Sequence, residues 1–109
     1  MQRLLLAGAA LAAAALSAAH AQGPSAKALE RGKQVFTQAA QPACAVCHTL
    51  EAAGAEGTIG PSLDELKPDA ARVQQAVLKG LGVMPPFAGK LSPEDIEAVS
   101  QYVAKSVGR

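Results

Sequence analysis

Apolar residues recur at the spacing of one helix face in three separate stretches of this chain. In the first, Ala28/Leu29, Gly32 and Val35/Phe36 fall at i, i+3/4 and i+7, the period at which side chains line one side of a helix. Ser25 stands before the run as an N-cap and Gln41-Pro42 closes it, so a helix is predicted from Ser25 to about Gln38. In the second, Val73, Ala76, Val77 and Gly80 share one side of a segment from about Asp69 to Lys79, which Gly80 and Gly82 stop. The third is the best delimited. Ser92 is a good N-cap, Pro93 fits the first helical position, and Glu94 and Asp95 favour the positive end of the helix dipole. Ile96, Val99, Tyr102/Val103 and Val107 form its apolar stripe, and Gly108 follows the end. Leu50 to Leu63 reads as a loop marked by Gly54, Gly57 and Gly60-Pro61. No stretch shows the alternation of a half-buried strand. The expected fold is all-α, with three main helices and two substantial loops.

The chain opens on a different pattern. Arg3 is followed by a short Leu/Ala core from Leu4 to Leu16, and Ala19-His20-Ala21 has the small-x-small form of a signal-peptidase site. The apolar run ends by about Ala19, short of the roughly 20 residues that span a bilayer. Residues 1–21 are therefore expected to be a secretory signal cleaved before Gln22, and no stable membrane anchor is expected. Residues 22–109 then form one small domain of 88 residues. Its single His is His48, its single Met is Met84, and its nine Lys/Arg balance nine Asp/Glu. With no basic tail or charge block, nucleic acid and anionic lipid are poor partners.

Export changes what the two cysteines mean. Cys44-Ala45-Val46-Cys47-His48 places two thiols three positions apart and an imidazole directly after them, the attachment pattern of c-type haem. Each thiol can add across one vinyl group on a porphyrin edge, and the tethered ring then brings His48 under the iron. The alternatives are weaker. A disulfide here would close a very small loop and stabilise little. Zinc needs a fourth ligand with no second cluster to supply it, and a thioredoxin-like pair belongs in a βαβ setting. The apolar content points the same way. Phe36, Phe87 and Tyr102 are the only aromatics, and a domain this small is marginal without added core. A buried, covalently held porphyrin would complete it.

On these residues the chain resembles the small bacterial class I cytochromes c, single-haem carriers of the periplasm. The resemblance covers the whole of 22–109 and rests on Gly32-x-x-x-Phe36, the Cys44–His48 motif, Gly60-Pro61, Gly82-Val83-Met84-Pro85-Pro86-Phe87 and a last helix carrying Tyr102. It implies three main helices and loops wrapped around one covalent haem c. It further implies thioethers at Cys44 and Cys47, His48 as proximal iron ligand, and Pro61 as carbonyl acceptor for the other ring nitrogen of His48. Met84 would be the distal sulfur ligand. No other thioether or imidazole survives cleavage, so a strong sixth ligand is Met84 or a Lys. Gly80 and Gly82 free the backbone before Met84 while Pro85-Pro86 restricts it after. Gly32 and Tyr102 suit a close crossing of the first and last helices.

The expected function is a periplasmic, non-catalytic carrier that moves one electron between redox proteins. Two alternatives stand beside it: an electron-transfer subunit of a larger periplasmic dehydrogenase, and a haem gas sensor or peroxidase with a labile distal ligand. The second lacks a spare His for distal acid–base work. Docking is expected around the haem edge through Pro42-Ala43, Ala45-Val46, Val83 and Pro85 to Ala88, with Lys79 and Lys90 near the second segment.

Overall fold

The computed structural model describes residues 8–10, 12, 13 and 23–108. The expected signal segment and its cleavage point lie outside the described residues, of which only 8–10, 12 and 13 belong to that segment. The elements are α1 (Ala26–Gln34), α2 (Cys44–Cys47), β1 (Thr49–Leu50), β2 (Ala55–Glu56), α3 (Leu63–Leu66), α4 (Ala70–Lys79) and α5 (Pro93–Ser106). The three long helices start where their caps predict. Ser25 Oγ accepts from the Ala28 amide at 3.1 Å, an Asp69 carboxylate oxygen from Arg72 at 2.8 Å, and Ser92 Oγ from Asp95 at 3.1 Å. Each such cap is worth about 1 kcal/mol.

Two stretches differ from the sequence reading. The first helix runs on beyond Gln34 as a wider π-helical turn over Val35–Ala39, closed by the Ala40 amide on the Val35 carbonyl at 3.1 Å. The segment read as a plain loop contains a small antiparallel pair, Thr49 opposite Glu56 and Leu50 opposite Ala55. A 3₁₀ turn over Glu51–Ala53 connects the two strands. With two residues per strand, no alternation can show in the sequence. Leu50 and Ala55 turn inward and are buried.

The frame is the crossing of α1 and α5. Gly32 lies against α5 so closely that a Cβ there would meet the Ala98 carbonyl oxygen and come within 2.5 Å of Tyr102 Cβ. Any side chain would force the helices apart. One turn on, Phe36 and Tyr102 pack edge to face, centroids 6.3 Å apart at 61°. Val35, Phe36, Val99 and Val103 are almost wholly buried around this contact, each contributing roughly 1.5–3 kcal/mol. At its rim, Arg31 grips Asp95 with both arms of its guanidinium, Nε to Oδ1 at 2.8 Å and Nη2 to Oδ2 at 2.7 Å. α4 also packs against α5.

A second tie binds the loops. The Asp64 carboxylate accepts the Glu51 amide at 2.8 Å and the Gly108 amide at 2.9 Å. One side chain on α3 thus joins the turn after β1 to the end of α5. Those two amides hold the Asp64 carboxyl below its ordinary range, and the Arg31 hydrogen bond does the same for Asp95. A depressed folded-state pKa means stability that is complete above the unfolded value of about 3.9 and is lost as pH falls through the folded value. Asp64→Asn should therefore lower the thermal midpoint at pH 7, and the gap from wild type should close as pH is taken down below about 4. Thermal unfolding across a pH series reads this directly; a gap that persists undiminished into acid would show that the charge of Asp64 is not what holds the loops.

Candidate haem site

The loops and α4 enclose an apolar cavity of about 460 Å³ beside the α1–α5 crossing. Its floor is core: Phe36, Val99, Val103, Val77 and Phe87. Cys44, Cys47 and His48 line it, as do Pro61 and Met84. The structure thus brings all five candidate residues to one cavity.

The cysteines owe their placement to α2, a single helical turn that puts positions 44 and 47 on the same side. Both are free thiols, and burial pushes the Cys44 thiol up to about 11. At neutral pH Cys44 is held as the neutral thiol, a poor nucleophile by itself.

His48 leaves the end of α2 and is held from two directions. Its Nδ1 lies 2.8 Å from the Pro61 carbonyl oxygen. A carbonyl only accepts, so Nδ1 is the donor here and Nε2 is the ring nitrogen left available to a metal, while the carbonyl fixes the ring angle. Gly60 supplies the other constraint. A Cβ on it would sit 2.6 Å from His48 Cε1 and 2.9 Å from Nδ1, so the bare backbone packs directly on the imidazole. The Gly60 amide in turn donates to the Cys47 carbonyl at 2.7 Å. The whole His48–Pro61 stretch is therefore folded back on the motif turn.

Met84 reaches the cavity on a tight turn. Leu81 and Met84 exchange backbone hydrogen bonds at 3.1 and 3.0 Å, with Gly82 and Val83 at the tip. The chain enters this turn through Gly80 at φ +69°, where the backbone is pressed against the far arm of the turn. A Cβ on Gly80 would lie 2.6 Å from the Met84 carbonyl oxygen. Left-handed φ and close approach together demand glycine there. Beyond the turn, the Phe87 amide donates to the Val77 carbonyl at 2.8 Å.

Phe87 itself corrects an expectation. The sequence groups it with the apolar docking segment, but at 4% exposure it belongs to the core. Val46 and Val83, from the expected segments, are exposed, Val83 at 89%, and so are Ile59, Leu81 and, less fully, Leu66. Ile59, Leu81 and Val83 line the open side of the cavity. The places of Leu81 and Ile59, and the contact of Gly60 with the ring, have no signal in the sequence, because each depends on how two loops meet. One charged side chain, Arg72, also lines the cavity; its signal is in the sequence, one turn before Ala76 on the same helix face.

The residues fit a covalently attached haem. The cavity is apolar, two thiols and an imidazole whose Nδ1 is engaged by Pro61 stand in its wall, and a thioether lines it from another segment. Fold and site together define a small single-haem class I cytochrome c. The chain belongs to the cytochrome c family: the family model described as "Cytochrome C oxidase, cbb3-type, subunit III" matches residues 27–103. It is 37% identical over 68 residues to cytochrome c6 of Microcystis aeruginosa, covering 55% of this chain and 79% of that one. It is 36% identical over 84 residues to cytochrome c6 of Bumilleriopsis filiformis, covering 69% of this chain and 87% of the other. Among solved structures, the c-type cytochrome SorU of Sinorhizobium meliloti superposes with a TM-score of 0.75 at 47% identity, covering 78% of this chain and 97% of that one. The protein is an electron-carrier cytochrome with haem c bound covalently, and not an enzyme.

The Gly60 contact makes a sharp prediction. Gly60→Ala inserts a methyl where the imidazole already sits, an overpacking that should cost about 1–3 kcal/mol. Denaturant unfolding of the holo protein measures it. A midpoint equal to wild type would mean that the ring can swing away from Gly60 without loss.

Proposed function

We propose that this cytochrome is an exported, periplasmic carrier of single electrons whose iron is held between His48 and Met84. Thioethers from Cys44 and Cys47 would retain the haem, His48 Nε2 would bind one face of the iron, and Pro61 would orient the His48 ring. The observation that carries the reading is that His48 and Met84 line one cavity from separate loops while Lys79 and Lys90 do not line it. That favours the sulfur over a lysine as sixth ligand. When bound, the haem supplies a one-electron Fe(II)/Fe(III) couple, and thioether ligation raises its potential. The chain's own part is to hold position. Pro61 and Gly60 would hold the imidazole, the Leu81–Met84 turn would carry the sulfur, and the apolar wall would limit water. With both axial positions taken, no site would remain for a substrate.

Export rests on the leader pattern of residues 1–21. Among the described residues no helix is long and apolar enough to cross a membrane. A second reading, in which the protein is the haem subunit of a larger redox complex such as a dehydrogenase, draws support from the matching family model, whose description names an oxidase subunit. Co-purification at fixed stoichiometry would favour it over a free carrier.

Haem should remain on the polypeptide in acidified organic solvent, and a Cys44→Ala/Cys47→Ala variant should lose it. The oxidised protein should show the weak far-red charge-transfer band of iron–thioether coordination. Met84→Ala should abolish the band and lower the midpoint potential; a variant with the band and potential intact would rule Met84 out as the ligand. The partner contact should depend weakly on salt. Val46, Ile59, Leu81 and Val83 present an apolar rim, suited to a brief contact below roughly 1,200 Å². Electron-exchange rates with the physiological partner should therefore vary little across a salt series. A fall by orders of magnitude between low and physiological ionic strength would point to steering by Lys79 and Lys90 instead.

A further inference from the structure

Two of the hydrogen bonds that fold the loops share one spacing. His48 Nδ1 donates to the Pro61 carbonyl at 2.8 Å, and the Glu51 amide donates to Asp64 Oδ2 at 2.8 Å. Each joins residues 13 apart in the chain. Residues 48–51 and 61–64 therefore lie side by side and run the same way, with one bond at each end. Between the two bonds, Leu50 and Leu63 both turn into the core and are buried. The bond at one end orients the imidazole. The bond at the other is made by a half-buried carboxylate that does not line the cavity.

The segment that carries the Pro61 carbonyl is short of support from its own backbone. The Gly60 amide on the Cys47 carbonyl secures its start, but the next bonds, Leu66 to Ser62 and Lys67 to Leu63, stay within α3. α3 is four residues long, far short of the roughly 12 at which an isolated helix begins to hold in water. It also ends on Lys67 at φ +48°, left-handed backbone that is strained for a residue with a Cβ and persists only where the surrounding structure holds it. Asp64 supplies the hold. Its Oδ2 takes the Glu51 amide and its Oδ1 takes the Gly108 amide at 2.9 Å. Gly108 follows α5, half of the crossing that frames the molecule, and a Cβ on it would lie 2.9 Å from Lys67 Cε. The two amides hold the Asp64 carboxyl below its ordinary range, so it is ionised at neutral pH and both bonds are of the stronger, charge-assisted kind. Through this one side chain the Pro61 segment is tied to the helix frame and to the strand that follows His48.

We propose that Asp64 is a positioning residue for the iron ligand: by fixing the segment that carries the Pro61 carbonyl, it sets the strength of the His48 Nδ1 hydrogen bond and, through it, the reduction potential. The inference rests on the reading of His48 as the proximal ligand. Its sign follows from the bond. A carbonyl on Nδ1 makes the imidazole a stronger donor through Nε2, and a stronger donor favours ferric iron. Hydrogen bonding to an axial ligand is one of the protein's levers on haem potential. A slack bond therefore raises the potential.

The test compares the holo wild type with Asp64→Ala and Asp64→Glu. Asp95→Ala serves as control, since it breaks the Arg31 pair at the α1–α5 rim, away from the loops. Two quantities are read: exchange of the His48 ring N–H with solvent, by proton NMR of the reduced protein, and the midpoint potential. In both Asp64 variants the ring N–H should exchange about tenfold faster or more, the factor that loss of one hydrogen bond to a charged group gives, and the potential should rise. Asp64→Glu keeps the charge but sets the carboxylate one methylene beyond the two amides, so a shift there is not a charge effect. If Asp64→Ala alone fails to load haem, Asp64→Glu is judged by the same two readings. Exchange unchanged from wild type would overturn the proposal, as would equal quickening in Asp95→Ala, which would mean general loosening. A potential that moves in Asp64→Ala and not in Asp64→Glu would overturn it too, reducing Asp64 to a nearby charge. Failure of both Asp64 variants to load haem would assign the residue to the fold alone and overturn it as well. Ligation by His48 is judged separately, by the strong upfield ring-current shift of its resonances in the reduced wild type. Without that shift the ligand reading fails, while the exchange comparison still tests Asp64.

Discussion

Everything in this fold depends on an apolar cavity that the chain cannot fill with its own side chains. The cavity holds about 460 Å³ and is open along the side where Ile59, Leu81 and Val83 stand exposed. Its size decides the architecture. Phe36, Val99 and Val103 pack against the α1–α5 crossing on one side and form the cavity floor on the other. A porphyrin held there would sit against the core, with the loops as its walls.

The two sides of the cavity are secured differently. On the His48 side, contacts are short and local in sequence: Pro61 on Nδ1, Gly60 on the ring and on the Cys47 carbonyl. The motif and its support lie close in sequence, and the imidazole is held by a hydrogen bond from one side and by bare backbone from the other. On the Met84 side, the sulfur-bearing turn is fastened by backbone bonds to itself, and by the Phe87 amide to α4. Asp64 then closes the structure by joining the turn after β1 to the end of α5. A carrier that changes charge by one unit in each cycle is served by such a frame, because little has to move when the electron arrives.

Sequence range separates the features that can be read from the chain from those that cannot. The three long helices are legible because periodicity and caps are local signals, and Ser25, Asp69 and Ser92 each accept the amide expected of them. The haem motif is local too. Gly32 and Tyr102 are placed by resemblance, and the structure supplies the reason in a crossing too tight for a Cβ. The turns Cys44–Cys47 and Leu63–Leu66 and the two-residue strands are too short to show a period. The Arg31–Asp95 and Asp64–Gly108 ties join residues far apart in the chain, and no pattern within a window can pair them. Phe87 falls within the expected docking segment, yet its amide donates to the Val77 carbonyl and its side chain is buried.

Charge completes the physical picture. Lys/Arg and Asp/Glu cancel over residues 22–109, and the rim of the cavity is apolar. A neutral surface gives little long-range attraction, so recognition would rest on the shape and apolar character of the rim.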